Sequence, residues 1–262
     1  YALEDAMLSD SGEAEAPDQV RDSLRQRGQR LRRQGVLPIG LIGERVLDEL
    51  VEELVPVRTA WLTLCGTYWE PAPKLALHLE LAGLVLEDWI DQLRSAGEAT
   101  AWLMQMSSRV CDKAGAPRGE KLIPMWLRQL AAAAQGQPVT GFLVARDAIV
   151  VMEPLEPLAA RAALERIVAL WREGMDRPLP AACKTGLALV MDGDPRSTYD
   201  GGFELSGEVE DPCLARLWPE FAALAAEAGF SDACRALYQP LADWLAQSVT
   251  VQPIAAEGEG GQ

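Results

Sequence analysis

The sequence predicts an α/β fold: a mixed central sheet flanked by helices. Three features point to it. After Pro71 and Pro73, apolar residues recur at every second position through three successive runs, the period of strands. Before those runs lies a long stretch of helical periodicity. After them come a helix, a tight hairpin and the most regular amphipathic helix of the chain, an order that suits helices packed on a sheet. No internal repeat and no separate second domain is visible. Residues 1–252 are expected to form one domain and residues 253–262 a flexible tail.

Taken in order, Tyr1–Leu8 reads as the end of a helix, and a chain that starts there without Met reads as a piece of a longer one. "SDSGEAEAPD" is an acidic linker rich in turn formers. "RDSLRQRGQRLRR" is a helix with Val20, Leu24 and Leu31 turned inward and Gly35 closing its end. "LPIG" is a turn. A long amphipathic helix starts near Leu41, with Val46, Leu47, Leu50, Val51, Leu54 and Val55 at helical spacing. Pro56 is expected to bend or interrupt it before the pattern resumes through Trp61 and Leu64.

The period-two runs "KLALHLEL", "GLVLEDWIDQL" and "ATAWLMQM" are expected as three consecutive strands, joined at Gly83 and at "SAG". "GEKLIPMWLRQLAAAA" is a helix stopped by Gly136. "VTGFLVA" and "AIVVME" form a hairpin across Arg146-Asp147. "PLAARAALERIVALWREGM" is a long helix, and "KTGLALVM" a short one. Asp211 to Gln247 is expected to hold two more helices broken near Gly229, and "EGEGGQ" to fray.

Composition removes several functions. A formal charge of −15 argues against a chain that coats phosphate on its own. One His and five scattered Cys without C-x-x-C leave no zinc pattern, and suit reduced thiols in a cytoplasmic protein. His78 falls on the polar face of its strand, with no partner for a catalytic triad. No apolar run is long enough to span a bilayer, so no membrane partner is expected. Phosphate-binding G-x-x-x-x-G-K-[ST] and the G-x-S-x-G elbow are absent. "DGDPRSTYDGG" lacks the ligand order of a calcium loop and reads as a surface loop.

"VLEDWIDQL" looks like half of a metal-dependent nuclease site. Such sites end one strand with Asp and place acid-x-Lys on the next. Asp88 or Asp91 could serve as the first ligand, but none of Lys74, Lys113, Lys121 and Lys184 has a carboxylate two positions before it. The second strand reads Met104-Gln105-Met106, and a thioether does not replace a carboxylate for Mg²⁺. An active nuclease would have to draw ligands from other positions such as Glu80, Glu87, Asp88 and Asp91. No cofactor is implied.

Charge is uneven. Arg21, Arg25, Arg27, Arg30, Arg32 and Arg33 crowd one segment, which fits either a solvated helix face or a contact for phosphate or a partner. From Val190 onward only Arg196, Arg216 and Arg235 oppose thirteen carboxylates. Glu204, Glu208, Glu210 and Asp211 precede a helix start at Asp211-Pro212 that carries Trp218. Two readings of Trp218 stand: a docking anchor rimmed by carboxylates, or a core residue packed near Tyr238 and Trp244. Trp69, in the loop "GTYWEPAP", is a second interface candidate. Trp89, Trp102, Trp126, Trp171 and Trp244 fall on apolar faces and are expected in the core.

Five segments in order resemble the C-terminal part of RecC, the non-catalytic subunit of the bacterial RecBCD helicase–nuclease (exodeoxyribonuclease V). They are "LRRQGVLPIGLIGE", "LAGLVLEDWIDQL", "EKLIPMWLRQLAAAAQG", "LWREGMDRPLP" and "YDGGFELSGEVEDPCLARLWPEF", reaching from about residue 31 to 223. The resemblance implies a RecB-type, PD-(D/E)XK nuclease-like fold without its active site. It matches Asp91 to the first metal ligand of active relatives, Met104 and Met106 to the lost carboxylate and Lys, and Gln129 to a structural Gln. It also implies RecB and RecD as partners, duplex and single-stranded DNA met within the full complex, and a role in assembly, strand separation and recombinational repair of double-strand breaks. "VMDGDPRSTYDGG" is shorter than the helical connection often found there in the family. A plain interaction module unrelated to DNA is the remaining alternative.

Overall fold

A computed structural model describes residues 2–9, 19–203 and 206–254. Most of the expected acidic linker and the terminal "EGEGGQ" lie outside the described residues.

Three helices come first: α1 (Ala2–Leu8), α2 (Val20–Arg33) and α3 (Leu41–Thr67). α2 buries Val20, Leu24 and Gly28. A Cβ on Gly28 would lie 2.1 Å from Leu47 Cδ1, so the missing side chain lets α2 lie close against α3. α2 ends as its sequence predicts. Gly35 takes φ +80°, its N–H bonds Arg32 O and the Val36 N–H bonds Leu31 O, satisfying carbonyls the helix leaves open. α3, by contrast, runs through Pro56 without a break. A mid-helix proline costs about 3 kcal/mol. Here Val51, Leu54, Val55, Val57 and Trp61 are all buried on either side of it, and their packing holds the helix together.

The strands are β1 (Glu70–Pro71), β2 (Leu75–Leu81), β3 (Leu84–Ile90), β4 (Leu93–Ala96), β5 (Ala99–Gln105), β6 (Thr140–Val144), β7 (Ala148–Met152) and β8 (Val249–Pro253). Six form one sheet in the order β1-β4-β5-β6-β7-β8, parallel only between β5 and β6; β2 and β3 pair as a separate hairpin. The expected single strand "GLVLEDWIDQL" is therefore two. Ile90 and Leu93 are both buried, which a strict period of two forbids for residues three apart. The chain resolves the conflict at Gln92, whose φ of +59° hands it from the small sheet to the large one.

The remaining helices are α4 (Gly119–Ala134), α5 (Pro157–Asp176), α6 (Cys183–Val190), α7 (Pro195–Asp200), α8 (Pro212–Leu217), α9 (Phe221–Ala225) and α10 (Phe230–Ser248). Asp211 to Gln247 thus holds three helices, not two, and the loop expected at "DGDPRSTYDGG" contains α7. Asp194 makes that helix by accepting the Arg196 and Ser197 N–H groups ahead of Pro195, a strong start signal. β8 reaches Pro253, and Ile254 packs on the core, so order extends into the segment expected as tail.

Neighbours on β5 face opposite layers. Trp102 joins the core built with α4, α5 and α10, while Ala101 and Leu103 join the one built with α1, α2 and α3. Helices thus cover both faces of the large sheet. A third cluster gathers Tyr199, Trp218, Leu224, Phe230 and Cys234 among α6 to α10.

Candidate functional site: a cavity at the split between the sheets

The strand break places Asp91 at the seam between the two sheets. β4 and β5 pair Leu93 with Trp102, and the Leu103 N–H bonds Gln92 O at 3.0 Å, which carries the register on and sets Asp91 opposite Met104. Asp91, Met104 and Met106 line one cavity of about 740 Å³, together with Lys74, Arg94 and Trp61. The structure thus brings together three of the four residues matched to a nuclease site. The fourth, Gln129, is fully buried on α4 and donates to Met152 O at 3.3 Å, away from the cavity.

Charge in this cavity is balanced by protein groups. Arg128 lies 3.3 Å from Asp91 Oδ1, and its guanidinium stands 5.6 Å from the Trp102 ring centroid. Sequence reasoning missed Arg128: no spacing rule links position 91 with 128, and only the packing of α4 under the seam does so. Gln105, between the two Met residues, also lines the cavity and donates to Leu8 O at 2.7 Å. Asp5 accepts the Ser107 N–H at 3.0 Å, so α1 is clasped to the end of β5. Arg94 is held by the Tyr68 and Trp69 carbonyls, and Lys74 sits 5.0 Å over the Trp89 ring.

The carboxylates offered for an alternative metal site do not converge. β2 and β3 pair Leu77 with Asp88, His78 with Glu87 and Glu80 with Val85. Glu80 and Glu87 therefore share a face with His78, and Asp88 lies on the other. Glu87 bonds His78 Nδ1 at 3.2 Å, and Asp88 accepts the Trp89 N–H at 2.8 Å. Among the described residues, no three His, Cys, Asp or Glu side chains gather so as to hold a metal ion. Nor is any helix there long and apolar enough to cross a membrane.

The arginine-rich segment is largely tied down. Arg21 pairs with Glu52, Arg25 with Asp48 at 2.6 Å and Arg32 with Glu44 at 3.2 Å, all across the α2–α3 packing. Arg27 donates to Met7 O and Ser9 O. Arg30 and Arg33 remain exposed on α2.

Among the expected protein-contact residues, Trp69 stands in solvent, 63% exposed, and Asp211 is exposed as well. Trp218 is a correction. It is 6% exposed, its indole N–H bonds Glu227 at 3.1 Å, and its carbonyl accepts the Tyr199 hydroxyl at 2.6 Å. Glu208 is spent as well: its carboxylate accepts the Lys184 and Thr185 N–H groups and the Thr185 hydroxyl, capping α6 from outside its own sequence. Asp211 caps α8 through the Cys213 N–H. Glu204 lies outside the described residues. Trp89 and Trp171, expected in the core, are 57% and 56% exposed.

Burial near this acidic cap pushes the Cys183 thiol up to about 11 and Cys234 to about 12, with Glu208 adding to both. A thiol with a raised pKa holds little thiolate at neutral pH. Alkylation with iodoacetamide at pH 7.5 should therefore label the exposed Cys213 well before either, as read by peptide mass spectrometry. Equal labelling rates for Cys213 and Cys234 would contradict this.

A family model described as the RecC C-terminal domain matches residues 1–194, from α1 to the cap of α7. No curated protein matches the chain.

Proposed function

Since the chain belongs to the RecC C-terminal domain family, we propose that it acts within the RecBCD helicase–nuclease as a scaffold that has given up catalysis. In this role it contributes to assembly with RecB and RecD and to the handling of DNA where strands separate during double-strand-break repair. One observation carries the non-catalytic reading: Asp91, Met104 and Met106 line the same cavity, and Asp91 is paired with Arg128. A nuclease needs at least two hard oxygen ligands there to hold Mg²⁺ over a phosphodiester, and a lysine to meet the developing charge. Here the position opposite Asp91 is a thioether, a guanidinium pairs with Asp91, and the other carboxylate of the cavity, Asp5, is occupied by the Ser107 N–H. The spread of Glu80, Glu87 and Asp88 over two faces of the hairpin supports the same reading.

DNA contact in this proposal belongs to the assembled complex. A chain of charge −15 gains little from counterion release on its own, all the less with Arg21, Arg25 and Arg32 paired to α3. Incubated with single- or double-stranded DNA and Mg²⁺ or Mn²⁺, the purified chain should release no product above background on a sequencing gel. Cleavage that Asp91→Ala abolishes would refute the proposal. Assembly is tested by mixing the chain with RecB and RecD separately and reading complex formation by size-exclusion chromatography.

A further inference from the structure

The connection from α2 into α3 carries an apolar surface that the fold does not use. Val36, Ile39, Leu41 and Ile42 are 54%, 96%, 83% and 69% exposed, within seven consecutive positions. Scattered exposed aliphatics are ordinary; four in one connection are not. Beside them a groove of about 460 Å³ opens between the end of α2 and Pro38-Ile39, with Arg32 and Arg33 on its wall.

The connection is stiff. Leu37 is 5% exposed and anchors its middle in the core. The hydrogen bonds at Gly35 and Val36 lock its entry, and Gly40 at φ +79° turns it into α3. The Pro38 carbonyl rests so close to the first turn of α3 that a Cβ on Gly43 would stand 1.8 Å from its oxygen. Side chains held outward on such a frame lose little freedom when covered, which favours binding.

Charge says what would cover them. Arg32 is neutralised by Glu44, but Arg30 and Arg33 have no carboxylate partner among the described residues. An aliphatic ridge beside a groove walled by Arg33, with Arg30 one turn earlier on α2, complements an apolar protein segment flanked by carboxylates. It suits a nucleic-acid strand poorly, because no aromatic ring in the connection offers a base a stacking face. We propose that the α2–α3 connection docks such a segment of a partner subunit, with Ile39, Leu41 and Ile42 as the covered contact and Arg30 and Arg33 as its charged rim. The inference rests on the assembly proposed above and says which surface of this chain makes it.

The test compares the unmodified chain with Ile39→Glu/Ile42→Glu and with Arg30→Glu/Arg33→Glu, each titrated with RecB, with RecD and with a single-stranded oligonucleotide. The first variant should lose roughly tenfold or more in affinity for one subunit. The second should lose less and flatten the salt dependence of that binding. Melting temperatures should stay at the unmodified value, since all four positions are exposed. If both variants bind both subunits as the unmodified chain does, the docking surface is wrong and the assembly reading stands. If they lose only oligonucleotide binding, the surface is a DNA contact and the proposal fails. If the unmodified chain binds neither subunit, both fall.

Discussion

Trp218→Ala should cost the fold roughly 3–5 kcal/mol and lower the melting temperature on the order of 10 °C, while leaving partner affinity unchanged. The side chain is buried in the third cluster with Tyr199, Leu224 and Phe230. Its backbone carbonyl fixes the Tyr199 hydroxyl at 2.6 Å, so Trp218 is held on both its ring and its main chain. Removing the indole empties a volume that the short helices α7, α8 and α9 cannot easily collapse into, and it strips Glu227 of its donor. Thermal denaturation followed by circular dichroism reads the first effect, and titration of the folded variant with RecB and RecD the second. Unchanged melting with weakened binding would restore the docking reading of this residue.

Trp102→Ala should destabilise the chain by a similar amount, about 3–5 kcal/mol. Trp102 is wholly buried on β5 and is packed between the Arg128 guanidinium and Gly141. An added Cβ on Gly141 would come within 2.7 Å of the indole, so β6 leaves no slack around the ring. Its indole nitrogen has no hydrogen-bond partner among the described residues. Trp102→Phe therefore loses volume but no hydrogen bond, and keeps a ring beneath Arg128; its cost should be clearly smaller than that of Ala. Urea unfolding of the two variants measures the difference. Equal losses would mean that the ring contact with Arg128 contributes nothing. Trp89→Ala and Trp171→Ala, at exposed positions, should stay within about 0.5 kcal/mol of the unmodified chain.

The four tryptophans just compared show where sequence periodicity succeeds. Trp102 lies in a strand between two layers, with Ala101 and Leu103 buried on the opposite face, so whichever face it takes is covered. Trp89 also lies on a strand, yet β3 belongs to a hairpin outside the large sheet, and Trp89 shares its face with Glu87, His78 and Glu80 and stays 57% exposed. Periodicity assigns a side to each residue. It does not say whether anything lies on that side.

By itself the sequence determined the class of nearly every long element, because a period of two or of 3.6 is a local property that neighbouring residues carry in full. It determined the α2 stop at Gly35 and the α8 start at Asp211-Pro212 for the same reason, and it contained the absence of any acid-x-Lys outright. The tertiary structure decided what depends on residues far apart in the chain. It joined Asp91 to Arg128, spent Glu208 on the start of α6, and paired Arg21, Arg25 and Arg32 with carboxylates of α3. It also covered Trp218 and left Ile39 in water. A charge is free or neutralised, and an apolar side chain buried or exposed, according to which distant surface folds against it, and no local pattern encodes that partner.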